Sequence, residues 1–171
     1  MNLVFTGFMG TGKSKTGKIV SEKLKRDFFD TDDLIEKKAG SLISDIFERC
    51  GETGFRQMEV EIIRGVSEKD FVVISCGGGV VLNSANIAVL RKKGIIINLY
   101  ASAEVIYERL KSENNRPLLR CEKPLVEIKK LLNFRKNFYA DCDFSFNTDG
   151  LSAAEVADKV LNDDTIKRLL S

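Results

Sequence analysis

The sequence contains no histidine, and that absence removes a large part of enzyme chemistry. Without imidazole, the Ser-His and Cys-His hydrolases lose their general base. Proton transfer near neutral pH then falls to carboxylates, lysines, cysteines or the substrate itself. A zinc site would lack its nitrogen ligand. The four cysteines, Cys50, Cys76, Cys121 and Cys142, are too widely spaced to form a C-x-x-C pair. They read as reduced thiols of a cytoplasmic protein. An excess of one charge is also missing, since 27 Lys+Arg face 25 Asp+Glu for a net charge of +2. No overall field draws the chain toward nucleic acid or an anionic membrane, so the expected partner is a small anion. The opening Met1-Asn2-Leu3-Val4-Phe5 has no basic leader and reaches a glycine after few apolar residues, which fits neither a signal peptide nor a membrane span. The expectation is a cytoplasmic monomer.

What remains is ordinary globular material. With 43% hydrophobic residues over 171 positions, one well-buried core and a single domain over 1–171 are expected. Short apolar runs at Leu3–Phe5, Phe71–Ser75, Ile95–Tyr100 and Phe144–Phe146, with a weaker one at Phe28–Asp30, alternate with stretches of helical spacing. Those stretches are Lys13–Lys25, Thr31–Lys38, Ser44–Arg49, Glu52–Ser67, Ser84–Lys93, Ser102–Lys111, Pro124–Tyr139 and Ala153–Leu161, and the tail after Asn162 can extend the last helix. The runs lack in-out polarity, as strands buried on both faces do, so the pattern predicts an α/β fold with a parallel sheet covered by helices. Ser112–Lys123 is polar, contains Arg116-Pro117 and has no strand signature. It is the candidate lid.

Gly7-Phe8-Met9-Gly10-Thr11-Gly12-Lys13-Ser14 matches G-x-x-x-x-G-K-[ST] between an apolar strand and an amphipathic helix. Glycines let consecutive backbone N–H groups curl around phosphate oxygens, and the positive end of the helix adds to the attraction. Lys13 would bridge the β- and γ-phosphates of a nucleoside triphosphate and Ser14 would ligate Mg2+. A dinucleotide-binding G-x-G-x-x-G fits worse, because Gly7, Gly10 and Gly12 have the wrong spacing.

Further anchors follow the other strands. In Asp30-Thr31-Asp32, Asp30 can hold magnesium-bound water and Asp32 can accept or orient a hydroxyl proton, although Asp30 or Thr31 can equally cap the next helix. Val72-Val73-Ile74-Ser75-Cys76-Gly77-Gly78-Gly79 ends a buried strand in three glycines. This signals close approach of backbone to a ligand or a tight turn. No aspartate closes that strand, so magnesium falls to Asp30 and Asp32. Arg56, Arg116 and Arg135 come from three separate segments; their forked donors suit carboxylates and phosphates, while the plain alternative for each is a solvated surface residue.

Taken in order, Gly7 to Ser14, Asp30-Thr31-Asp32, Glu52-x-x-Phe55-Arg56, Gly77-Gly78-Gly79, Arg116-Pro117-Leu118-Leu119 and Arg135-x-x-x-Tyr139 resemble the shikimate kinase family. The resemblance covers nearly the whole chain. It implies a P-loop kinase fold with a five-stranded parallel sheet in order 2-3-1-4-5 and a mobile lid. It also implies transfer of the γ-phosphoryl group of ATP, with Mg2+, to the 3-hydroxyl of shikimate in aromatic amino-acid biosynthesis. By the same resemblance, Gly10, Thr11, Gly12, Lys13, Ser14 and Lys15 hold ATP phosphates, Arg109 lies near adenine and Arg116 closes over ATP. Asp32, Arg56, Gly78 and Arg135 bind shikimate, the two arginines at its carboxylate. Lys13, Asp32 and Arg116 are then the catalytic set, and Ser14 with Asp30 the metal set. Phe47 and Phe55 would wall the ring or simply belong to the core.

The chain departs from the family pattern at Lys15, where a second hydroxyl residue is common, at Gly54, where glutamate is frequent, and before Phe138-Tyr139, where a proline is missing. The competing readings are a gluconate- or nucleoside-phosphate-type kinase on the same sheet, and a nucleotide-binding regulatory module that has lost catalysis.

Overall fold

The computed structural model describes residues 1–111 and 122–170. The expected lid, apart from Glu122 and Lys123, therefore lies outside the described residues, and so does Arg116. Strand β1 (Asn2–Thr6) is buried along its whole length. Alternation sends Val4 to one face of the sheet and Leu3 and Phe5 to the other, as period-2 geometry requires of a central strand. Strands β2 (Phe28–Asp30), β3 (Val73–Ser75), β4 (Gly94–Tyr100) and β5 (Phe144–Asn147) complete a parallel sheet in the order β2-β3-β1-β4-β5. The expected third strand is shorter than Phe71–Ser75. Phe71 has φ of 57° and is 64% exposed, so it belongs to the turn leading into the strand.

Helices α1 (Lys13–Leu24), α7 (Ala153–Asn162) and α8 (Asp164–Leu170) cover one face through Val20, Val156, Val160 and Ile166. Helices α4 (Ser84–Arg91), α5 (Ala103–Leu110) and α6 (Pro124–Ala140), with the end of α3 (Ile43–Ser67), cover the other. A third cluster of Ile35, Ile46 and Phe55 joins α2 (Thr31–Ala39) to α3 away from the sheet. The two helices expected at 44–49 and 52–67 run together as α3, with non-helical Gly51 (φ 65°, ψ −174°) as the kink between them. Each sheet strand leads toward the site, because in such folds ligands bind beyond the carboxyl ends of the strands.

Candidate active site

Helix α1 begins at Gly12, which is left-handed at φ 90°, and no side chain caps it. By contrast Asp30, Asn83, Ser102 and Ser152 cap α2, α4, α5 and α7 with their own oxygens. An uncapped first turn leaves N–H groups directed outward, which is the donor array an anion needs. Lys13 is only 8% exposed and donates to the Phe8 carbonyl at 3.0 Å, across the loop it belongs to. Thr11 Oγ1 donates to the same carbonyl at 2.8 Å. The cradle thus carries a desolvated cation over a ring of backbone donors, and ATP phosphates fit it.

Beside it, Ser14 Oγ donates to Asp30 Oδ2 at 2.6 Å and lies 3.3 Å from Ser75 Oγ. Asp30 also accepts from the Asp32 backbone N–H at 3.0 Å through its other oxygen. Asp30 thus caps α2 with Oδ1 and faces Ser14 with Oδ2. A hydroxyl and a carboxylate at hydrogen-bond distance form a hard-oxygen pair of the kind Mg2+ uses together with phosphate oxygens and water.

The three glycines after β3 divide the work of gathering the other side chains. A methyl on Gly77 would stand 2.4 Å from Asp32 Oδ1, and one on Gly79 would stand 2.3 Å from Arg56 Nη2. The loop is bare because two charged groups lie against it. Between them, the Gly78 carbonyl accepts from Tyr139 Oη at 2.6 Å and more weakly from Arg135 Nη1 at 3.5 Å. Gly77 N–H donates to Thr31 Oγ1 at 2.9 Å, which ties the loop to the start of α2. Asp32, Arg56, Gly78 and Arg135, from four separate segments, are therefore brought to one loop next to the P-loop.

Arg56 is held from below. Its Nη1 donates to both carboxylate oxygens of Glu59 at 3.0 Å, and Glu59 is 1% exposed. Burial pushes the Glu59 carboxyl above the ordinary range against the opposing pull of Arg56. Arg135 stacks over the Phe8 ring at 5.6 Å, and its buried Nε has no partner among the described residues. An unsatisfied buried guanidinium donor is costly, and a ligand carboxylate would relieve it. Burial pushes the Tyr139 phenol up to about 12 even though Arg135 and Arg56 pull it down, which places both cations near this hydroxyl.

Arg109 donates to Gly10 O at 3.1 Å, to Thr148 Oγ1 at 3.0 Å and to Thr148 O at 2.6 Å. It ties the P-loop to the turn after β5. Phe55 is 5% exposed and core-like, whereas Phe47 is 39% exposed and stacks on it at 4.7 Å. Two residues at helical spacing thus divide between core and rim. Sequence reasoning missed Glu59, Ser75 and Thr148. Only Glu59 left a trace, three positions after Arg56 and so on the same helix face.

A P-loop between β1 and α1, a hydroxyl-carboxylate pair beside it and an arginine-rich acceptor pocket define a P-loop phosphotransferase acting on a small anionic molecule. The shikimate kinase family model matches residues 9–165. The chain is 48% identical to the shikimate kinase of Thermodesulfovibrio yellowstonii over 162 residues, 95% of this chain and 94% of that one. Among solved structures, shikimate kinase from Acinetobacter baumannii in complex with shikimate superimposes with a TM-score of 0.89 at 34% identity, over 94% of this chain and 90% of that one. This chain belongs to the shikimate kinase family. A gluconokinase from Sinorhizobium meliloti shares the fold alone, with 15% identity and a TM-score of 0.62 over 99% of this chain and 93% of that one. The gluconate-type alternative is not favoured.

Proposed function

We propose that the chain phosphorylates the 3-hydroxyl of shikimate with ATP, giving shikimate 3-phosphate and ADP on the route to aromatic amino acids. The observation that carries the reading is the gathering of Asp32, Arg56 and Arg135 around Gly77–Gly79, beside a P-loop whose helix is uncapped. Backbone N–H groups of Gly10 to Lys15 and the Lys13 ammonium hold the ATP phosphates. Ser14 and Asp30 would hold Mg2+, which would supply positive charge to offset that of the triphosphate during transfer. Arg56 and Arg135 take the shikimate carboxylate, and Gly78 contributes backbone to a hydroxyl. Asp32 orients the 3-hydroxyl for in-line attack and accepts its proton as the new O–P bond forms.

With largely dissociative phosphoryl transfer, positioning and charge stabilisation provide most of the acceleration. Lys13 supplies fixed charge at the leaving oxygens. Arg116, outside the described residues, is the further cation assigned to the transferring group, within a lid over 112–123. Arg109 holds the P-loop against Thr148 on the side assigned to adenine. The chain acts in this reading as a single-domain cytoplasmic monomer with neither nucleic acid nor membrane as partner. The near balance of charge supports it, and no helix among the described residues is long and apolar enough to cross a membrane.

Calorimetric titration tests the assignment. Asp32→Asn should bind an ATP analogue normally yet lose most turnover, and Arg135→Ala should bind shikimate about tenfold or more weaker, the loss of a charge-assisted contact. Normal shikimate affinity in folded Arg135→Ala and Arg56→Ala would remove both from the substrate site. Collapse of ATP affinity in Asp32→Asn would move Asp32 to the metal site.

A further inference from the structure

A cleft of about 640 Å3 opens between α6 and the β4–β5 edge of the sheet, within the size range of small-molecule sites. Phe8, Leu132 and Tyr139 form apolar walls, and Asn98 and Ser145 rise from the two strands. Phe8 and Tyr139 also border the active site, the first beneath Arg135 and the second bonded to Gly78. The cleft thus adjoins the phosphoryl-transfer site and shares Thr11 of the P-loop with it, whereas Asn98, Leu132, Lys136 and Ser145 have no part assigned in phosphoryl transfer.

Its polar equipment is specific. Asn98 is 5% exposed and stands in the middle of an otherwise apolar strand. Its Nδ2 donates to Ser145 Oγ at 3.3 Å, while Oδ1 is buried with no partner among the described residues. An amide acceptor left unpaired in an apolar wall calls for a donor from a ligand. Lys136, also lining the cleft, is exposed and puts a cation at its mouth. The carboxylates that follow α6 do not cancel it, because Asp141 and Asp143 are engaged by Arg91 at 2.9 and 3.7 Å.

We propose that this cleft is a second small-molecule site that takes a phenolic carboxylate, its ring among Phe8, Leu132 and Tyr139, its hydroxyl donating to Asn98 Oδ1 and its carboxylate at Lys136. 4-Hydroxyphenylacetate and phenylacetate differ only in the hydroxyl and serve as probes. Titrated by calorimetry into the intact protein, the hydroxylated acid binds about tenfold tighter, the value of one buried hydrogen bond. In Asn98→Leu, which is nearly isosteric and removes an unpaired group, the two acids bind equally. Lys136→Glu, a surface change that keeps the fold, weakens both severalfold. Arg56→Ala leaves both affinities intact, since the substrate site is not the one occupied. Absence of saturable binding, a hydroxyl advantage that persists in Asn98→Leu, unchanged affinity in Lys136→Glu, or loss of binding in Arg56→Ala would each overturn the proposal.

Discussion

Replacing Gly79 by alanine puts a methyl carbon 2.3 Å from Nη2, 2.6 Å from Nη1 and 2.7 Å from Cζ of Arg56. Those separations are far inside van der Waals contact, so the guanidinium must move. A free arginine would swing aside at little cost, but this one is pinned by two bonds of 3.0 Å to Glu59 and one of 3.4 Å to Glu52. Displacement weakens the Glu59 pair and takes the fork away from the carboxylate it is proposed to hold. A charge-assisted hydrogen bond contributes about 1.5 to 3 kcal/mol, which at about 1.4 kcal/mol per decade is a loss of roughly tenfold to 150-fold in shikimate affinity. Steady-state kinetics with ADP release as the readout should show that rise in the shikimate KM, with the ATP KM unchanged because the P-loop is untouched. Circular dichroism should show a folded but less stable protein, since Glu59 loses part of its compensation. A folded Gly79→Ala protein with the parental shikimate KM would refute the claim that this glycine exists to seat Arg56.

Three other outcomes follow from the same geometry. Gly54→Ala should destabilise the protein by about 1 to 3 kcal/mol in urea unfolding, because the new methyl meets Cys50 Cβ at 2.4 Å; helix propensity alone predicts the opposite sign, a gain of about 1 kcal/mol, so stabilisation would discard the steric account. For Tyr139 the phenol is raised from 10.0 to about 12, so the folded state binds its proton more tightly than the unfolded state does. That stability is fully present below pH 10 and falls by about 3 kcal/mol as pH rises toward 12, and urea midpoints in this window should fall less steeply for Tyr139→Phe. Lys13→Met should fold yet lose at least about a hundredfold in turnover, since a desolvated cation aimed at phosphate contributes several kcal/mol; near-parental ADP formation would remove Lys13 from the mechanism.

Features set by local pattern were readable in the sequence. The P-loop carries its glycines and lysine within eight consecutive positions, and the strands carry their apolar runs, so loop and sheet order could be anticipated, the latter through family resemblance. The break between the helices expected at 44–49 and 52–67 was readable too, although the two run together as α3 with Gly51 as the kink. What escaped depends on contacts between distant segments. The three glycines at 77–79 are one motif in sequence, but Gly77 makes room for Asp32, Gly79 for Arg56 and Gly78 offers its carbonyl to Tyr139. Glu59 reads as one more helix carboxylate until its burial and its two bonds from Arg56 give it a task. Ser75 stands where an aspartate was sought at the end of β3, and only the parallel pairing of β1 and β3 brings it to Ser14. Gly54 stands out in the sequence only as a departure from the family pattern, and the fold shows that a side chain there would meet Cys50 Cβ at 2.4 Å.

One chain carries both halves of the reaction, the phosphate cradle and the hydroxy-acid pocket. Phosphorus NMR of the purified protein with Mg2+, ATP and shikimate tests it directly, with gluconate and a nucleoside monophosphate as parallel acceptors. ADP and a new phosphate-ester signal, coupled to the proton on carbon 3 of shikimate, should appear together and only with shikimate. Equal ADP release with and without shikimate, or ester formation on either of the other acceptors instead, would contradict it.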